Sequence, residues 1–422
     1  MMYETNDLQT YRAKPSLRIS LFEILAGLYI AHKLIPAVGH YMPAIVYLGI
    51  FGLLCLYGIM TAVMRKHLQK MLPVFLLPLL ACVRYVIQGA TANIPIYMYS
   101  QLQMIMYGVI AFYVMENRET EPPKKWLAFI LICYVFTAIT TTIGCTRFPL
   151  AARYLASVES TTDGQYILYT KNNIGGFTFI YEITLLTPLI SYLIKEKKIN
   201  RLLGVAILVL FGVTILTAEY TTALVLFVIT IPIMFFGKIT KRKLTAIFVL
   251  LILFFLVGTQ WIADLLQSLS ERMESETVSA RFEYLSQILS GNTITDTENS
   301  GDRMSLYQLS WDEFTRTLGL GNWGRAPTGG HSYLLDTIGV YGIVGVAVLI
   351  IFYRYIYRMH IKPYWKDRLF GYIYYLLIMC LLLALLNPKS FLFVLIGVLP
   401  LFAEVYQDRK TGDENEITVD GQ

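Results

Sequence analysis

Apolar runs long enough to cross a bilayer dominate this chain. Twelve such stretches recur along its 422 residues, at about 17–35, 41–63, 70–89, 97–115, 126–144, 174–194, 202–217, 222–236, 244–262, 332–353, 371–386 and 391–405. A backbone N–H or C=O cannot go unpaired in hydrocarbon, and a helix pairs all of its own. These runs therefore predict an all-α polytopic membrane protein with about 12 transmembrane helices. With 56% hydrophobic and only 15% charged residues, and a mean hydropathy of +0.55, length here measures spans rather than soluble domains. The first run is interrupted by Glu23 and His32 and no small-residue cleavage site follows it, so it is expected to stay as a span.

Charge supplies an orientation. With the N-terminus in the cytoplasm, connections on that side hold 24 Lys and Arg and the opposite side holds 10, five of them in one long loop; Arg84 lies within a span. Long loops count little in the positive-inside rule, so the comparison is 24 against 5. The expectation is a multi-pass cell-membrane protein with both termini cytoplasmic. The net charge of +6 is then inside-loop bias and gives no reason to invoke nucleic acid. The five cysteines have neither metal nor disulfide spacing and read as packing residues.

The chain divides into spans 1–9 over 1–262, an external loop over 263–331, spans 10–12 over 332–405, and a disordered cytoplasmic tail over 406–422. The loop is predicted to carry two short helices, one near 279–290 with Arg281 and one beginning at Arg303. It holds 10 acidic residues and 5 arginines, so an anion site within it needs arginines gathered locally. A second external loop, about 145–173, ends in Lys171, Asn172, Asn173 and Gly175.

The stretch from Gly301 to Gly345 carries most of the chemistry. Ser300, Gly301 and Asp302 form a helix-start signal, and Met304, Tyr307, Trp311, Phe314 and Leu318 recur as one apolar stripe expected to pack on the membrane or the protein. A run of glycines from Gly319 to Gly330 then leads, past Arg325, to His331 in what should be the first turn of a transmembrane helix. Free N–H groups and the positive dipole end there would favour a phosphate. Arg84, read as mid-span, faces a protein-lined cavity or staples spans together. Asp336 lies about 140° round the helix from His331 and reads as an inter-helix contact. Gly339, Gly342 and Gly345 read as close helix packing.

A long external loop followed by His331, Ser332, Leu335, Gly342 and Gly345 resembles the H-[NS]-x-x-L and G-x-x-G pattern of the O-antigen ligase and polysaccharide polymerase superfamily. Arg303, Trp311 and Phe314, the LGLG turn, and KNNIGG before the sixth span are similar to that family too, so the likeness covers about 170–350. Where family ligases carry an arginine in T-x-S-R, this chain has Thr217, Ala218, Glu219 and Tyr220, which suits the polymerase branch better.

The resemblance implies an inverting membrane glycosyltransferase that joins polyprenyl-diphosphate-linked oligosaccharide repeat units outside the cytoplasmic membrane, making O-antigen or capsule. Donor and acceptor would both be lipid-linked, with flippase and chain-length regulator proteins as implied partners and no metal or other cofactor. Arginines stabilise a leaving diphosphate bidentately, and a histidine near neutrality can serve the attacking hydroxyl. On that reading His331 and Arg303 are the catalytic candidates, with His331 a base or a hydrogen-bond donor to phosphate. Arg281, Arg84, Glu219, Asn172, Asn173, Arg325 and Tyr220 are the substrate-binding candidates. The alternatives are a ligase moving finished glycan to another acceptor and a flippase for the same lipid-linked sugar. A two-halved transporter would show its main break near the middle and on the cytoplasmic side, whereas the largest loop here follows the ninth span.

Overall fold

The computed structural model describes residues 20–88, 94–157, 163–235, 259–272, 303–386 and 391–406, together with Thr245, Val249, Glu283 and Ser286. Every regular element among them is helical. In chain order these are α1 (Leu21–Leu34), α2 (Pro36–Tyr41), α3 (Ala44–Met64), α4 (Leu68–Gln88), α5 (Ile94–Glu116), α6 (Pro123–Arg147), α7 (Ala151–Ser157) and α8 (Gly164–Lys171). There follow α9 (Phe177–Lys195), α10 (Arg201–Thr217), α11 (Thr221–Phe235), α12 (Thr259–Ser270), α13 (Arg303–Arg316), α14 (Tyr333–His360) and α15 (Leu369–Leu386). A π-helical turn, Val394–Val398, runs into α16 (Leu399–Tyr406).

Six helices among the described residues are long and apolar enough to cross a membrane: α3, α4, α6, α9, α14 with its short extension to Tyr364, and α15. The first, seventh and eighth expected spans appear as shorter helices of 14, 17 and 15 residues, and the ninth falls largely outside the described residues. So does the first expected loop helix, apart from Glu283 and Ser286, and so does the tail beyond Tyr406.

The bundle is built around α9. Within its spanning window 89% of residues are buried, against 22% in α3, and a helix apolar on every side belongs inside. Thr184, Thr187 and Ser191 are tolerated there because each hydroxyl donates to the carbonyl one turn earlier. Helices α7, α10, α11 and α15 pack on it.

The basic connections share one face of the bundle, tied there by ion pairs. His67 and Lys70, where α4 begins, meet Glu116 at the end of α5, at 3.0 and 3.1 Å. Arg118 meets Glu404 on α16 at 2.9 Å, Arg368 meets Glu196 at the end of α9 at 3.1 Å, and Lys125 meets Glu23. Ser20 and Glu23 form a capping box at the start of α1, which fixes that end to the same face. The candidate residues that are described lie toward the opposite end of the helices.

Candidate functional site

The centre of the site is a broken helix. At Gly342 the backbone of α14 takes φ 59° and ψ −144°, which separates Tyr333–Tyr341 from Ile343–His360. The break frees backbone groups that an intact helix would pair, and the loop after α13 takes them up. The Ile343 N–H donates to the Gly319 carbonyl at 2.8 Å, the Asn322 N–H to the Gly339 carbonyl at 3.0 Å, and the Trp323 N–H to the Val340 carbonyl at 2.7 Å. Irregular backbone within a bundle is tolerable only with such replacement. Both sides must be glycine: a Cβ on Gly321 would lie 2.4 Å from the Gly342 nitrogen, and one on Gly342 would lie 2.2 Å from the Gly319 oxygen. Gly342 thus interrupts the helix and packs on the loop backbone rather than on another helix, whereas Gly339 packs on helix α13, its Cβ position 2.6 Å from the Ser310 carbonyl oxygen.

The protein-facing side of helix α13 is polar. Its buried positions are Ser310 and Glu313, while Trp311 is 50% and Leu318 91% exposed. Burial here serves the loop's polar backbone, so polar side chains turn inward. Ser310 Oγ donates to Asp336 Oδ1 at 2.6 Å and accepts from the Gly329 N–H at 2.9 Å. Glu313 accepts from Asn322 at 3.1 Å and from both Nε and Nη2 of Arg316, which holds its carboxyl below the usual carboxylate range. Asn322 in turn accepts from the Gly324 N–H at 2.6 Å and donates to the Ala326 carbonyl at 3.0 Å.

Asp336 fixes the segment that carries His331. Its Oδ1 accepts from the Gly330 N–H at 3.0 Å and its Oδ2 from the Ser332 N–H at 3.2 Å. Ser332 is the N-cap, accepting from the Leu335 N–H at 3.2 Å, so His331 precedes the helix and is exposed. Asp336 and the cap thus engage the N–H groups of Gly330, Ser332 and Leu335.

Arg84 reaches this loop from α4. It lies 14 residues along the helix from Lys70, about 21 Å up the axis and nearer the Gln88 end than the middle. A Cβ on Gly324 would fall 2.2 Å from Arg84 Nε and 2.3 Å from Gln88 Nε2, so the guanidinium rests directly on the loop backbone. Its Nε donates to Gln88 Oε1 at 3.3 Å. The structure thus brings together Arg84 and a loop carrying Arg325, which is exposed, and His331. Arg303 opens α13, but its side chain lies outside the described residues, as does all of Arg281.

The other candidates belong to a separate cluster at the same end of the bundle. Asn173 is buried and occupied: its Oδ1 accepts from the Ala37 N–H at 3.1 Å and its Nδ2 donates to Thr140 Oγ1 at 2.8 Å. Asn172 is exposed and caps α8 through the Leu168 carbonyl at 2.8 Å. Glu219 takes a positive φ of 60° in the α10–α11 turn. Beside it the Tyr220 hydroxyl donates to the Ala152 carbonyl at 2.9 Å, and burial pushes its pKa far up. Arg153, which the sequence reading passed over, is near enough for its charge to favour the Tyr220 phenolate.

Two further charged residues were missed. Lys33 Nζ lies 3.1 Å from Glu182 Oε1 inside the bundle, and the Tyr134 hydroxyl donates to Glu182 Oε2 at 3.0 Å. The available signal was Glu182 itself, a lone carboxylate in the sixth apolar run. Comparison of the chain with protein-family models and with curated proteins gives no match to either.

Proposed function

We propose that this protein is a membrane glycosyltransferase that polymerises polyprenyl-diphosphate-linked oligosaccharide repeat units into surface polysaccharide on the outer face of the cytoplasmic membrane. The observation that carries the reading is the glycine loop laid against the break in α14, because it sets His331 and Arg325 on a rigid backbone and rests on Arg84. Preorganised cations stabilise charge that develops on a departing diphosphate, and they do so more strongly away from bulk water. The imidazole of His331 is exposed to an approaching acceptor hydroxyl, and its neighbours Gly330 and Ser332 are held by Asp336. In this scheme the hydroxyl oxygen attacks the donor's anomeric carbon, its proton passes to His331, and the lipid diphosphate leaves with inversion. The basic face would be cytoplasmic and the site external.

A second reading, a flippase for the same lipid-linked sugar, draws support from the interrupted helix and the charge pair within the bundle, both of which occur where transporters hold substrate. Purified protein incubated with lipid-linked repeat units decides the matter. A polymerase gives a ladder of longer lipid-linked products, and His331→Ala should lower bond formation by roughly 10² or more with substrate still bound. Units that never lengthen but change bilayer face would establish the flippase, and transfer of long glycan to a different acceptor would establish a ligase.

A further inference from the structure

Lys33, Glu182 and Arg84 occupy one level of the bundle. Lys33 is 13 residues from Ser20 along α1, Glu182 is 13 from Lys195 along α9, and Arg84 is 14 from Lys70 along α4, which places all three about 20 Å from the basic face. An ion pair at such a depth adds little to stability, since apolar residues of the same volume serve as well or better. Its two members differ in access: 16% of the Lys33 side chain is exposed but only 1% of Glu182. The carboxylate also has a second donor in Tyr134. A cationic ligand would have to reach the sealed Glu182, whereas an anion has only to reach Lys33.

Aromatic rings connect this place with the loop of His331. Phe393 lies with its ring centre 5.9 Å from Lys33 Nζ, and Phe391, two residues earlier, packs edge-on against Tyr333 at 5.5 Å. Tyr333 is the first residue of α14, two positions after His331. These rings are buried, so a ligand here meets the Lys33 ammonium rather than open ring faces.

We infer that Lys33 is an anion-binding residue, stored against Glu182 when the site is empty and transferred to a phosphate oxygen of a lipid-linked substrate when it fills. This rests on the glycosyltransferase reading. On transfer Glu182 keeps the Tyr134 hydroxyl, so the carboxylate is not left without a donor.

The test uses full-length protein in nanodiscs and a sugar-free polyprenyl diphosphate, with inorganic diphosphate as competitor. The double variant Lys33→Met/Glu182→Met keeps side-chain volume and removes both charges, so it should fold with a melting temperature at or above that of the parent. It should bind the lipid diphosphate at least about tenfold more weakly, the usual worth of one charge-assisted hydrogen bond. Glu182→Gln, which frees the ammonium, should bind more tightly than the parent. Competition by inorganic diphosphate that disappears in the double variant would assign the headgroup itself; a loss confined to the lipid-borne probe would assign recognition at the bilayer. Parent-like binding by the double variant would overturn the role of Lys33 and leave the glycosyltransferase reading standing. Failure of the parent to bind any lipid diphosphate would overturn both.

Discussion

Asn173 shows how a polar residue that looks like a ligand can serve the fold alone. Helix α2 has no side-chain cap of its own, and the amide of Asn173, 136 residues away, accepts its first N–H, that of Ala37, while donating to Thr140. Asn173→Ala should leave the Ala37 N–H without its acceptor and Thr140 Oγ1 without its donor, and place an alanine at φ 56°, costing about 1–3 kcal/mol. The check is a thermal melt in detergent alongside turnover per folded molecule: the melt should fall and the turnover should not. A normal melt with lost turnover would return Asn173 to the substrate-binding residues. Sequence alone could not separate these roles, because a lone asparagine in a glycine-rich turn reads the same whether its amide faces a ligand or a helix end. Lys33 was hidden for a similar reason. At the end of an apolar helix a lysine is ordinarily a side chain reaching for the headgroups, and only the position of Glu182 shows that it turns inward.

Among the elements, α13 and α14 were legible in place but not in use. Their positions follow from periodicity and caps, and α13 begins at Arg303 as expected. Which side of α13 faces the protein was left open, since apolar periodicity finds the apolar stripe without revealing whether lipid or protein lies beyond it. Trp311 and Leu318 turn outward, and Ser310 and Glu313 inward. The break at Gly342 was equally invisible, because a glycine within an apolar run also fits close packing. Gly342→Ala would set a Cβ 2.2 Å from the Gly319 oxygen at a φ of 59°. It should detach the loop: amide exchange at Asn322 and Trp323 should quicken and activity should fall, while membrane insertion persists. Gly52→Ala, with nothing within 4 Å of the new methyl, is the matched control and should alter neither. Unchanged exchange in the Gly342 variant would mean the loop is held by something other than the break.

For the whole molecule, ion pairs such as Arg118 with Glu404 and Arg368 with Glu196 gather the basic connections on one face, as the charge distribution of the sequence leads one to expect. A reporter fused near Lys241 should therefore lie in the cytoplasm and one near Asn292 outside, and finding both on one side would remove the topology on which the external site depends. The helical class was readable because it follows from hydropathy. The partnership of α4 with the loop was not, since 240 residues separate Arg84 from Gly324 and no local pattern links them. The broken helix also sets an order of assembly. The strand of loop that fills the break is synthesised before α14, and Arg84 long before either, so each partner is waiting when Gly342 leaves the ribosome. Later still, α15 brings the Leu386 carbonyl to the Tyr307 hydroxyl and the Ala384 carbonyl to Ser332, and Phe391 follows onto Tyr333. A nascent chain stopped before α15 would carry the loop and its Arg84 support without this clasp.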